Sequence, residues 1–142
     1  MMGLTNGSNG SRPPPPASER PRTVLVVEDR PRALDALRLL LSAHGFHVLT
    51  AADVGTGLVL LDEWGVDAIV ADLRLGDGKP DGAVLLDSAR LWHPGVRTRL
   101  LLTADPLGAE LAADTDSVWI DRSEPDWSER MVSVLREALD AT

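Results

Sequence analysis

The chain has 142 residues, 44% of them apolar, enough to fill one core but too few for that core plus a separate second domain, so a stand-alone unit is expected. Its 22 acidic and 14 basic residues leave a formal charge of -8, which repels phosphate backbones and argues against nucleic-acid binding. The absence of cysteine excludes disulfides, thiolate zinc sites and thiol nucleophiles, and the compartment reads as cytoplasm.

Residues 1–22 are dominated by Gly, Ser, Asn, Pro and Arg, with a run from Pro13 to Pro16. Such a segment has little to bury and is expected to be a disordered tail, leaving 23–142 as one domain. Met1 to Gly10 lack a charged start and an apolar stretch, and no later apolar run approaches the ~20 residues that span a bilayer, so no membrane attachment is expected. Val24 to Val27 then form a β-branched apolar run of the kind that makes a strand buried on both faces. Leu34, Leu37, Leu40 and Leu41 recur at helical spacing, with Pro31 in the first turn and Gly45 as a stop.

The alternation repeats. Val48 to Ala51 reads as strand, Leu58 to Trp64 as helix, Ala68 to Ala71 as strand and Val84 to Trp92 as helix ending before Pro94. Arg99 to Thr103 is a fourth strand, Leu107 to Ala113 a short helix, Val118 to Ile120 a fifth strand, and Trp127 to Leu139 a closing helix. Short connections between strands and helices imply an α/β fold: a doubly wound, five-stranded parallel sheet with helices on both faces. In such a sheet the reactive crevice lies beyond the carboxyl ends of the strands. His44, His47 and His93 do not cluster and read as structural; Trp64 and Trp92 each end an apolar stripe and read as packing residues.

The residues that close the strand runs are Glu28 and Asp29, then Asp72, then Thr103, then Asp121 and Arg122. Three carboxylates in one partly desolvated crevice repel one another, an arrangement that a divalent cation relieves. Hard oxygen ligands without histidine or cysteine select Mg2+ or Mn2+ rather than zinc.

These motifs resemble the receiver domains of bacterial two-component response regulators, of which the chemotaxis regulator is an example. The resemblance runs from Thr23 to about Ala141 and rests on the acidic pair closing VLVVED, Asp72 in IVADLRL, Thr103 in LLLTAD and Trp119 in VWIDR. It implies a flavodoxin-like receiver fold with strand order 2-1-3-4-5, and a phosphoacceptor role for Asp72. It further implies Mg2+ held by Glu28, Asp29, Asp72 and the backbone carbonyl of Arg74, with Thr103 and Trp119 as the switch pair. A carboxylate oxygen attacking phosphorus in line, with cations balancing the equatorial oxygens, is chemistry that suits this set.

The sequence departs from the family where a Lys-Pro pair usually ends the fifth strand; here Arg122 and Ser123 stand. The expectation is that Arg122 takes over the lysine's contact with the phosphoryl group, although a planar guanidinium is not equivalent to an ammonium. Lys79 lies in the loop GDGKPDG, Gly76 to Gly82, which is about two residues longer than usual and expected to be mobile. A shortened stretch between Thr103 and Arg122 should trim the fourth helix or its connections. Arg74 and Asp105 flank the acceptor and could pair across the cleft or remain solvated.

The function implied is a phosphorelay response regulator that takes a phosphoryl group from a sensor histidine kinase, or from a histidine phosphotransfer protein, and signals through contacts with a downstream protein. A second copy of the chain is allowed as a partner; nucleic acid and membrane are not expected. The alternative is a receiver-like interaction module that works without phosphorylation. Enzyme activity is not expected: Mg2+-dependent phosphatases with an aspartate nucleophile usually need a second aspartate two positions on, and Arg74 occupies that place.

Overall fold

A computed structural model describes residues 21–76 and 78–140. The tail expected over 1–22 lies, apart from Pro21 and Arg22, outside the described residues, as do Asp77 and the last two positions. The elements follow in the expected order: β1 Thr23–Val27, α1 Pro31–Ala43, β2 His47–Ala51, α2 Val54–Glu63, β3 Ala68–Asp72, α3 Asp81–Trp92, β4 Thr98–Thr103, α4 Leu107–Asp114, β5 Val118–Asp121 and α5 Trp127–Asp140. All strand pairs are parallel and the sheet order is β2-β1-β3-β4-β5.

Period-two alternation in the strands divides the core between two faces. Leu25, Val27, Ile69, Ala71 and Leu101 face α2, α3 and α4, meeting Leu61, Leu85 and Ala112. Val24, Val26, Val70, Leu100 and Ile120 face α1 and α5, meeting Leu37, Leu41, Met131 and Leu135. Both faces of the central strands are covered, which is why their sequences are continuous apolar runs rather than alternating ones.

Two helices begin a turn earlier than their apolar stripes suggest. In α2, Asp53 caps the start by accepting the Thr56 N–H at 2.7 Å, so the apolar-poor stretch Val54 to Gly57 is already helical. In α3 the first turn is Asp81-Gly82-Ala83, where Gly82 supplies no side chain for a stripe to register. The fourth helix, α4, has 8 residues.

Trp64 and Trp92 do not pack into the core. They are 51% and 76% exposed, Trp64 as the residue capping the end of α2 and Trp92 as the last residue of α3. Trp64 tilts against the His47 ring at 6.2 Å. The histidines keep structural roles: His93 Nε2 lies 3.3 Å from Asp62, and the His44 carbonyl at the end of α1 accepts from Arg136 of α5 at 2.9 Å. Among the described residues no helix is long and apolar enough to cross a membrane.

Candidate functional site: an acidic crevice lined by arginines

Register brings the acids together. Val27 pairs with Ala71, so Glu28 emerges beside Asp72 at the same edge; Asp72 in turn pairs with Leu102, placing Thr103 one step further on the neighbouring strand. Glu28 is held to β2 through its N–H, which donates to the Ala51 carbonyl at 3.1 Å. Oxygens of Glu28, Asp29 and Asp72 all lie within 4.8 Å of one another, with Glu28 fully buried and the other two half-buried. That separation and an all-oxygen donor set fit a hard divalent cation. Asp29 also accepts the Gly76 N–H at 3.0 Å, tying the β1 end to the loop after β3.

Two guanidiniums converge on the buried acid. Arg30 donates to Glu28 through its backbone N–H, Nε and Nη2 at 3.2, 3.3 and 3.0 Å, and Arg122 donates through Nη1 at 3.1 Å. Burial alone would push the Glu28 carboxyl up, but the hydrogen bonds from Arg30 and Arg122 outweigh it and hold the group below its ordinary value. Asp72 goes the other way. Its own burial first, and then the Glu28 charge, push it up to about 6 despite Arg122 and Arg30. Without a further cation, the site holds one carboxylate charged at the expense of the other.

Arg122 is fixed on two sides. Besides Glu28, its guanidinium carbon lies 5.1 Å from the centre of the Trp127 ring, and the side chain is 19% exposed. The turn that follows is closed by Asp121, whose Oδ1 accepts the Ser123 N–H at 3.0 Å and its hydroxyl at 2.7 Å. This Asx-type turn supplies the chain reversal without proline, and among the described residues all peptide bonds are trans.

Thr103 is buried, and its Oγ1 accepts the Asp105 N–H at 3.1 Å. Its carbonyl accepts two donors, the Arg122 N–H at 3.1 Å and the Trp119 indole N–H at 3.0 Å. A Cβ on Gly108 of α4 would stand 2.6 Å from Trp119 Nε1 and 2.7 Å from Thr103 Cγ2, so α4 presses its first turn directly on this pair. Gly82 marks a second close approach: a Cβ there would lie 1.8 Å from the Asp72 carbonyl oxygen. Over the crevice, Arg74 spans two loops, donating to Asp105 through Nη2 at 2.7 Å and to the Gly78 carbonyl at 2.8 Å.

No family model matches the chain. The transcriptional regulatory protein GlrR of Escherichia coli is 28% identical over 123 residues, covering 87% of this chain, which spans only 27% of GlrR. The transcriptional regulatory protein KdpE of Mycobacterium tuberculosis is 36% identical over 69 residues, 49% of this chain and 30% of KdpE. Among solved structures, the signal receiver domain of an HD domain-containing protein from Pseudomonas fluorescens superposes with a TM-score of 0.72 at 26% identity, over 85% of this chain and 88% of that one. The chain has the receiver fold and resembles response regulators in sequence. The response regulator TrrA of Thermotoga maritima, in complex with Mg2+-BeF, shares the receiver fold with a TM-score of 0.71 at 18% identity, over 83% and 99% of the two chains.

Glu28, Asp29, Asp72, Thr103 and Arg122 fall at the one sheet edge, with Trp119 two residues before the end of β5, but not all are in the expected contacts. Glu28, Asp29 and Asp72 form a cluster, and the Arg74 to Asp105 pairing across the cleft is formed rather than solvated. Lys79 lies in the loop over that edge, where it bridges to Leu75 in antiparallel fashion; Gly76 and Gly78 take positive φ values of 66° and 86° in the same loop. Arg122 is neither solvent-facing nor directed at Asp72 alone: its hydrogen bond goes to Glu28, because a planar fork can stack on Trp127 and reach that buried acid together. Arg30 was not singled out from the sequence. Its signal is a cation directly following an acidic pair at a strand end, where it returns upon the first acid.

Proposed function

We propose that this receiver accepts a phosphoryl group on Asp72 from a phosphohistidine, supplied by a sensor histidine kinase or a histidine phosphotransfer protein. The observation that carries the reading is the meeting of Glu28, Asp29 and Asp72 oxygens within 4.8 Å at the carboxyl edge of the sheet. An Asp72 carboxylate oxygen would attack phosphorus; the P–N bond breaks, an acyl phosphate forms, and the imidazole leaves. Glu28, Asp29, Asp72 and the Arg74 carbonyl would hold Mg2+. When bound, the metal would balance charge on the equatorial phosphoryl oxygens, and TrrA supports this choice of ion by its own complex.

The Thr103 hydroxyl would donate a hydrogen bond to a phosphoryl oxygen while Thr103 Oγ1 itself still accepts from the Asp105 N–H. Trp119, tied to the Thr103 carbonyl and pressed by Gly108, would relay that movement to α4. The output is then a protein contact made in the cytoplasm, and no catalytic turnover is assigned, since Arg74 stands where a phosphatase would place its second aspartate. One observation favours the alternative of a module that does not switch: Arg122, the candidate phosphoryl contact, is already engaged by Glu28.

Acetyl phosphate with Mg2+ tests the proposal by intact mass. The expected result is a single added phosphoryl group that Asp72→Asn prevents. Equal modification of the variant would assign a different nucleophile. No modification of either protein, together with no uptake of beryllofluoride, would establish the non-switching module instead.

A further inference from the structure

We infer that Arg30 sets the affinity of the acidic site for its cation, by holding the Glu28 carboxylate until a divalent ion displaces it. The inference deepens the proposed function and rests on its metal site.

An ionised carboxylate offers about four lone-pair positions, and Glu28 has four donors. Oε2 accepts from the Arg30 backbone N–H and Nε, and Oε1 from Arg30 Nη2 and Arg122 Nη1, all between 3.0 and 3.3 Å. No position is left for a cation. Direct ligation by Glu28 therefore has to be an exchange, in which a guanidinium bond is given up as the metal bond is made.

The two arginines differ in their freedom to leave. Arg122 is 19% exposed and stacked over Trp127, whereas the Arg30 side chain is 62% exposed. Arg30 is the arm that solvent can receive. Electrostatics point the same way: Glu28, Asp29 and Asp72 carry three negative charges when ionised, and Arg30 with Arg122 returns two positive ones, a local sum of -1 (-3 + 2). A cluster so nearly balanced attracts a divalent ion far less than three bare carboxylates, and releasing Arg30 to the solvent restores part of that attraction. The choice of arginine matters, because its fork engages both Glu28 oxygens at once, which a single ammonium on a flexible stem does less well.

The test is a Mg2+ titration of the full chain, followed by tryptophan fluorescence and amide shifts, for the unsubstituted protein, Arg30→Ala, Arg30→Lys and Asp29→Asn, with thermal melts confirming that each is folded. Arg30→Ala should bind Mg2+ about threefold to tenfold more tightly, and Arg30→Lys should fall between it and the unsubstituted protein. A purely structural arginine would give no such order. Binding that Asp29→Asn abolishes but Arg30→Ala leaves unchanged or weakens overturns the role of Arg30 and spares the metal site. Absence of Mg2+ binding in every protein, Arg30→Ala included, overturns both.

Discussion

At the scale of single residues, Asp72 carries the largest strain of charge at the sheet edge. Asp72 has a folded-state pKa near 6 against an ordinary 3.8, set by burial and then by the Glu28 charge. The folded protein thus holds the Asp72 proton more tightly than the unfolded chain does, so stability rises as the pH falls through the window from about 6 to 3.8. Above that window the ionised carboxylate costs the fold on the order of 1–3 kcal/mol, kept low because the side chain is only half-buried. Asp72→Asn should therefore stabilise the metal-free protein by about that amount near pH 8 and by almost nothing below about pH 4, as denaturant melts at the two pH values will show. Arg122 gives the opposite result. Removing it leaves Glu28 buried with one partner fewer and strips the cation from Trp127, so Arg122→Ala should destabilise by about 1–3 kcal/mol, softened by the remaining Arg30 bonds. Arg122→Lys should lose roughly half as much, since charge survives while the fork and the stack do not. An unchanged denaturation midpoint in Arg122→Ala would place the guanidinium in solvent.

Between elements, the sheet edge is built by contacts that only glycine permits. The first turn of α3 lies so close to Asp72 that a Cβ on Gly82 would meet its carbonyl oxygen at 1.8 Å. Gly82→Ala must push α3 away or shift Asp72, and should cost about 1–3 kcal/mol or more, measured by denaturant melts. At the far end of the same helix, Trp92 is 76% exposed, and Trp92→Ser should change stability by less than about 0.5 kcal/mol. These two positions show what the sequence could and could not disclose. Element order, the parallel sheet and the acids at its edge were legible because apolar runs and strand-end residues are local signals. The early starts of α2 and α3 were not, because Asp53 caps a stretch without an apolar stripe and Gly82 has no side chain to mark one. The exposure of Trp92 was hidden too, since periodicity reports which face a residue shares but not how far along the helix that face is covered. The Arg122 contact was hidden for a different reason: its partner is 94 residues away, just past the end of the first strand.

For the molecule as a whole, the question is what excess negative charge does to the fold and to a divalent cation offered to it. The chain carries a formal charge of -8, and the crevice adds its share of repulsion at the point where three strands end. A divalent ion that binds only the folded state must raise stability by mass action, by about 1.4 kcal/mol at tenfold its dissociation constant. For a domain of this size that amounts to roughly 4–6 °C in Tm. Mg2+ should therefore raise the Tm at neutral pH, in buffer whose ionic strength is held constant with a monovalent salt so that general screening is removed from the comparison. Asp29→Asn should abolish the gain, since the mutation removes a ligand while leaving the fold's other charges in place. The gain should also shrink as the pH falls below about 6, because protonated Asp72 offers the cation less charge. A Tm rise of equal size in the unsubstituted protein and in Asp29→Asn would mean that Mg2+ acts on the general charge of the molecule, and would remove the acidic crevice from the account of how this receiver is stabilised.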